Sequence, residues 1–243
     1  MPIPWYKDWF DTEYYHLLYD KRNAREAEQF LDALVAYLSL PKDARIIDIA
    51  CGKGRHSIYL NKLGYRVTGI DIAARSIEAA KCFENESLTF FRHDSREVFS
   101  ADSFEVAINL YTSYGYLESR EALLDQLINM KNNLVKGGTF VLDYFNSETL
   151  LHCTFKEDSI VKGNIEFITS KKIAGHQIVK TIEVKEKGKS EHFAEKVHLI
   201  SKHEFAVLFE EAGLDIVKYF GDYALGPFRE DSSERLIIIA RKR

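Results

Sequence analysis

The 243-residue chain has few cysteines: Cys51, Cys82 and Cys153 lie far apart, with no C-x-x-C pair and no cysteine–histidine set at zinc spacing. A disulfide framework and a structural metal are therefore excluded as organising devices, and free thiols with no metal site are expected. No apolar run approaches the roughly 18 residues of a membrane-spanning helix. The first eight residues, Met1 to Asp8, lack the basic start and apolar stretch of a signal peptide. A cytoplasmic protein without a membrane partner is the expectation. A large excess of one charge is missing too. The formal net charge of −4 gives no field for holding a polyphosphate backbone, so nucleic acid is not an expected partner. Repeats and low-complexity tracts are also absent.

What is present is ordinary globular material, with 46% hydrophobic and 29% charged residues. Its length suits one α/β domain with an embellishment. From Asn23 to Leu38 the apolar residues Ala27, Phe30, Leu31, Leu34, Val35 and Leu38 fall on one helical face, and Pro41 closes the segment. The spacing then predicts strand 45–50, helix 55–63, strand 65–70, helix 75–84, strands 88–93 and 104–110, helix 119–134 and strand 138–145. Such alternation argues for parallel strands with crossover helices, and Gly137-Gly138 reads as a helix stop. Between Asp158 and Ser201 the period changes to two. Ile178, Lys180, Ile182 and Val184 share one side, turns fall at Gly175 and Gly188, and about three antiparallel strands with one solvated face are expected. Phe205, Leu208, Phe209 and Ala212 return to helical spacing, ended by Gly213. Strands 214–220 and 235–241 follow, too close for a crossover and so antiparallel.

The chemistry concentrates in Asp48-Ile49-Ala50-Cys51-Gly52-Lys53-Gly54-Arg55-His56, followed one strand later by Asp71. Strand, glycine turn and helix form an arrangement that seats nucleotide cofactors, and a carboxylate at the end of the next strand can accept both hydroxyls of an adenosine ribose. A dinucleotide would place its pyrophosphate at this turn, and Asp48 would repel it. The same carboxylate would attract a cation such as the ammonium or sulfonium of S-adenosylmethionine. The third glycine of the dinucleotide pattern is missing as well.

With His93-Asp94-Ser95, Asn109-Leu110-Tyr111-Thr112-Ser113-Tyr114-Gly115-Tyr116 and Leu134-Val135-Lys136-Gly137-Gly138, the chain resembles the class I S-adenosylmethionine-dependent methyltransferases, closely over residues 44–146 and in outline over the terminal strands. The tyrosine-rich run and the β insertion after strand five are similar to a bacterial small-molecule subgroup. The resemblance implies a Rossmann-like, doubly wound seven-stranded sheet with its last strand antiparallel, plus a small inserted antiparallel sheet. It implies S-adenosylmethionine as cofactor, with Asp48, Ala50 and Gly52 at the methionine end, Asp71 on the ribose, Ile72 against adenine, Asp94 and Ser95 on the adenine edge, and Asn109 and Leu110 beside the sulfonium.

The expected segments are an N-terminal aromatic segment and helix (1–40), a cofactor-binding core (41–148), an inserted β lid (149–201) and the closing helix and strands (202–243). Trp5, Tyr6, Trp9, Phe10, Tyr14, Tyr15 and Tyr19 either pack or cover the cofactor. In the covering reading Tyr14 and Arg22 make the contacts, Arg22 to the methionine carboxylate. Tyr111, Tyr114, Tyr144 and His152 are candidates for the acceptor pocket, because ligands of open α/β sheets sit at the strand ends. Arg55 and His56 read as packing or hydrogen-bonding groups, not as a base. The expected activity is methyl transfer to a small-molecule acceptor by in-line displacement. A nicotinamide-dependent oxidoreductase and a non-catalytic cofactor-binding protein on the same fold stand as alternatives. Loops of the insertion offer a route to a homodimer.

Overall fold

The structure, a computed structural model, describes residues 5–19, 24–117 and 119–243. Two short helices, α1 (Trp5–Trp9) and α2 (Glu13–Leu18), precede the amphipathic α3 (Ala24–Leu38). The core then alternates as expected: β1 (Arg45–Ile49), α4 (Arg55–Lys62), β2 (Arg66–Asp71), α5 (Ala74–Lys81), β3 (Leu88–Arg92), β4 (Phe104–Asn109), α6 (Arg120–Asn132) and β5 (Leu134–Phe145). After α7 (Ser147–Leu151) come β6 (Asp158–Lys162), β7 (Ile165–Ala174), β8 (Gln177–Glu186) and β9 (Lys189–His198). The chain ends with α8 (Lys202–Ala212), β10 (Leu214–Phe220) and β11 (Arg235–Lys242).

Seven strands form one sheet in the order β10-β11-β5-β4-β1-β2-β3, with β11 antiparallel to both its neighbours. Because the parallel strands are buried on both faces, they read as near-continuous apolar runs. One face packs against α6 and α8 through Leu123, Leu127, Phe205 and Phe209. The other packs against α3, α4 and α5 through Phe30, Leu34, Leu60 and Ile77. The result is a three-layer, doubly wound α/β fold. Strand order reverses between β1 and β4, and at such a switch point a crevice opens beyond the strands' carboxyl ends. Among the described residues no helix is long and apolar enough to cross a membrane.

Two expectations need correction. Helix α6 ends at Asn132, and Gly137-Gly138 lies inside β5 instead of stopping the helix. Pairing jumps from Phe104↔Leu134 to Val106↔Thr139, so the glycines form an irregular bulge. Gly137 adopts φ +74°, and a Cβ at Gly138 would stand 2.9 Å from the Val135 carbonyl oxygen. The insertion has four strands, not three, in the order β6-β7-β8-β9. The extra turn contains Gly163 at φ +60°.

The N-terminal helices pack on that second sheet. Trp9 is 1% exposed and joins Leu18, Phe167, Ile182 and Val184 in a separate apolar cluster. Its ring lies 4.6 Å from Phe193.

Under the glycine turn the ring of Phe90 occupies the space that side chains at Gly54 and Gly69 would take. A Cβ at Gly69 would fall 2.5 Å from Phe90 Cδ1 and 2.9 Å from Cys51 Sγ. Gly69→Ala is therefore expected to lower stability by about 1–3 kcal/mol through overpacking. Urea denaturation checks this, and an unchanged midpoint would show that the Phe90 ring is free to yield.

Candidate functional site

A cavity of about 410 Å³ opens at the carboxyl ends of the parallel strands, within the roughly 300–1,000 Å³ of small-molecule sites. Ala50 and Gly52 after β1, Asp71 and Ile72 at the end of β2, Asp94 and Ser95 after β3, and Leu110 and Tyr111 after β4 all line it. The turn after β1 is tight. Ala50, Gly52 and Gly54 have φ of +63°, +57° and +80°, which swings the backbone around the strand end and into α4.

Asp71 fixes this turn from the next strand. Its Oδ2 accepts the Gly52 N–H at 2.8 Å and its Oδ1 the Ala73 N–H at 2.8 Å. Burial pushes its pKa up, against the pull of these backbone donors. A carboxylate has about four acceptor sites, so capacity for a ligand's hydroxyls is left on the cavity side. Asp48 lies beneath the turn, 1% exposed, and is not on the cavity surface. Ser57 Oγ donates to its Oδ2 at 2.6 Å. Burial raises the Asp48 pKa to about 6, the Ser57 hydrogen bond opposes that rise, and the nearby Asp71 charge adds to it.

The remaining sequence candidates are distributed unevenly. Asp94 lines the cavity, but Arg96 engages both its oxygens, at 3.0 and 2.6 Å. Ser95 accepts a hydrogen bond from Gln126 Nε2 at 2.8 Å. Asn109 is fully buried and donates to the Ile49 carbonyl at 2.8 Å, tying β4 to β1 behind the cavity. Tyr14 faces away: its hydroxyl donates to Glu186 at 3.1 Å on the inserted sheet, and the two acids together push its pKa up to about 12. Arg22 lies outside the described residues. Among the acceptor-pocket candidates only Tyr111 borders this cavity. Tyr114 is a core residue whose hydroxyl donates to the Leu123 carbonyl, and Tyr144 is a core residue donating to the His198 carbonyl. His152 is exposed at the end of α7.

The walls also include N-terminal aromatics for which packing and covering both stood open, residues read as packing, and residues not singled out at all. Tyr6, Phe10, Tyr15, His16 and Tyr19 of the N-terminal segment line the cavity, as do Arg55, His56 and Gln126. His56 stacks on Tyr111 with centroids 5.1 Å apart, and the Arg55 guanidinium sits 4.7 Å over the Tyr111 ring. Burial lowers the pKa of His16, and Lys53 reinforces that effect.

Tyr111 and Thr112 are consecutive non-glycine residues with φ of +57° and +60°. Asp143 on β5 holds them there. Its Oδ2 accepts the Tyr111 N–H at 2.8 Å and its carbonyl accepts the Thr112 N–H at 3.0 Å. Arg235 of β11 pairs with Asp143 at 2.8 Å and donates to Thr112 Oγ1 at 3.0 Å, while the Tyr223 hydroxyl donates to Asp143 at 3.3 Å. Asp143 is completely buried. The sequence did carry a signal, an acid inside the apolar run Phe140 to Phe145.

Removing the arginine leaves that carboxylate buried without its cation. Arg235→Met should cost about 3–5 kcal/mol. It should also release the left-handed Tyr111–Thr112 turn, seen as loss of the Tyr111 ring-current shift on His56. Retention of both stability and that shift would show that the ion pair is dispensable.

A family model described as "Methyltransferase domain" matches residues 19–219. A Bacillus subtilis protein of that kind, YqeM, is 30% identical over 112 residues, 45% of each chain, so this chain spans less than half of that relative's length. The cypemycin N-terminal methyltransferase of a Streptomyces species is 24% identical over 86% of this chain and 89% of its own. A crystal structure of an S-adenosylmethionine-dependent methyltransferase from Clostridium acetobutylicum superposes with a TM-score of 0.78 at 14% identity, covering 94% of this chain and 96% of that one. With most of its length inside the matching model, the chain belongs to the methyltransferase-domain family.

Proposed function

We propose that the chain is an enzyme that binds S-adenosylmethionine in the 410 Å³ cavity and methylates a small-molecule acceptor. The observation that carries this reading is a set of polar atoms without protein partners. Among the described residues four buried side-chain polar atoms lack a hydrogen-bond partner: His16 Nε2, Tyr111 Oη, Gln126 Oε1 and Asn109 Oδ1. The first three belong to residues of this one cavity wall. Buried polar atoms are almost always satisfied, so a polar ligand reaching each of them is the economical account.

The carboxylates at and beneath the glycine turn favour a cationic cofactor over a dinucleotide. Asp48 and Asp71 both lie at the glycine turn, where a pyrophosphate would have to sit, and each carboxylate already resists ionisation. A cation relieves that cost, and a phosphate would increase it. In this reading Asp71 holds the ribose, Ile72 borders adenine, Ser95 and Gln126 face the base edge, and Lys53 and Arg55 suit the methionine carboxylate. Asp48 acts through the turn, holding Ser57 and supplying negative charge from below.

When bound, the cofactor supplies a methyl group already activated by its sulfonium, ready for direct in-line displacement. The protein's task is alignment and exclusion of water. Tyr6, Phe10, Tyr15 and Tyr19 act as a lid, and their ring faces suit a cationic centre. Tyr111, held by Asp143 and stacked on His56, marks where cofactor and acceptor meet.

Calorimetric titration with S-adenosylmethionine tests the reading directly. Asp71→Ala should weaken binding by about 1.5–3 kcal/mol. Asp48 is neutral below its pKa of about 6 and anionic above it, so affinity should rise as the pH is raised from 5 to 7, with protons released on binding near pH 6. Folded protein that binds neither S-adenosylmethionine nor S-adenosylhomocysteine would sink the proposal, and binding of a nicotinamide dinucleotide instead would replace it.

A further inference from the structure

The loop after β3 is held to α6 by three amides that recur at helical spacing. Gln126 Nε2 donates to Ser95 Oγ at 2.8 Å, Asn129 Nδ2 donates to the Arg96 carbonyl at 2.7 Å, and Asn133 Oδ1 accepts the Phe99 and Ser100 N–H groups at 2.9 and 2.8 Å. Asn133 is fully used, because its Nδ2 also donates to the carbonyls of Asn129 and Met130. Gln126 is not. It stands in the core-facing row of α6 with Leu123, Leu127 and Met130, and its Oε1 is buried with no hydrogen-bond partner. Anchoring the loop accounts for its nitrogen and leaves its oxygen without a structural use.

An unpaired amide oxygen in an apolar row is costly, so its place in a cavity wall points to a donor on the ligand. Ser95 and Gln126 both line the 410 Å³ cavity. The Ser95 bond decides which end of the amide is committed to the protein, and it leaves the oxygen for the ligand. The neighbouring acid competes poorly for the same donor. Asp94 already receives three bonds from Arg96: the backbone N–H and Nε reach Oδ1 at 3.1 and 3.0 Å, and a terminal guanidinium nitrogen reaches Oδ2 at 2.6 Å. These fill most of its about four acceptor sites and neutralise its charge.

We propose that Gln126, in place of Asp94, reads the exocyclic amino group of the cofactor's purine, and that the cavity thereby selects a 6-amino base. The assignment rests on the reading of this cavity as an S-adenosylmethionine site, and it names the residue that decides which purine the site accepts. A 6-amino group brings two N–H donors, one of which satisfies Oε1. A base with hydrogen at that position leaves Oε1 unpaired, and a 6-oxo base sets a second acceptor against it. Gln126 is thus a specificity-determining residue oriented by Ser95, and one side chain both ties down the loop and chooses the base.

The test is a calorimetric titration of the full chain with S-adenosylhomocysteine and with its two analogues that carry hydrogen or oxygen in place of the 6-amino group. Both analogues should bind about tenfold or more weakly. In Gln126→Leu the three affinities should converge to within about threefold, whereas a merely structural Gln126 would weaken all three alike and keep their ratio. Asp94→Ala should keep the wild-type ratio, and so should Gln126→Glu, which retains an acceptor oxygen. Equal binding of the three ligands by the wild type, a ratio unchanged in Gln126→Leu, or a ratio lost in Asp94→Ala overturns the proposal. A 6-oxo ligand that binds more tightly than S-adenosylhomocysteine also overturns it, because the amide would then be presenting its N–H. If Gln126→Leu does not fold, the wild-type ratio and Gln126→Glu decide the outcome. Folded wild-type protein that binds none of the three would overturn the cofactor reading, and the assignment with it.

Discussion

Asp143 and Arg235 form the buried ion pair on which the cavity rim depends. A carboxylate fully enclosed in a sheet is costly, and it persists only where every lone pair is used and the cation is well placed. Here Arg235, the Tyr111 amide and the Tyr223 hydroxyl converge on it. Burial pushes the Asp143 pKa upward and Arg235 pulls it back. The pair connects three segments far apart in sequence: the end of β5, the start of β11 and the loop after β4. Without the antiparallel last strand there would be no arginine at this position, because the pairing of Arg235 with Phe145 delivers it. Topology and electrostatics are thus one requirement, and the strained Tyr111–Thr112 backbone is what they jointly sustain.

That strain has a purpose in the arrangement of rings. A left-handed turn at Tyr111 carries its ring onto His56 at the start of α4 and onto Tyr223, whose centroid lies 5.1 Å away. The first cavity's wall carries Asp71 and Asp94 beside Lys53, Arg55 and Arg96, and a second cavity of about 280 Å³ carries Lys171 and Lys180 beside Glu195. Phe10, Tyr15, Tyr19, Tyr111, Ser113 and Tyr116 are common to both. The aromatic partition between the two is thus anchored through Tyr111 to the sheet on one side and to the glycine turn on the other.

Much of this was legible in the sequence because buried parallel strands leave little choice of residue. The runs at β1, β2 and β4 and the acid ending β2 locate the cavity by themselves. What escaped depends on direction and partnership. Tyr114 and Tyr144 sit near strand ends like Tyr111, yet their side chains enter the core, and position along the chain does not report the side on which a ring emerges. The Gly137-Gly138 pair has the composition of a helix stop, and only its register against Phe104 and Val106 makes it a bulge. Strand β6 was missed because it is mostly exposed and its alternation is weak. Asp143 and Arg235 are 92 residues apart, so an acid in an apolar run signals a buried partner without identifying it.

The docking of Trp9 on Glu195 joins residues separated by 186 positions. On a ribosome adding roughly 5–20 residues per second, the N-terminal aromatic segment waits on the order of 10–40 s before the sheet that receives it exists. Its rings are made 186 positions ahead of the glutamate that receives them. This wall of the cavity is thus a late product of synthesis, and a nascent chain can complete the glycine turn and its carboxylates well before that wall is in place.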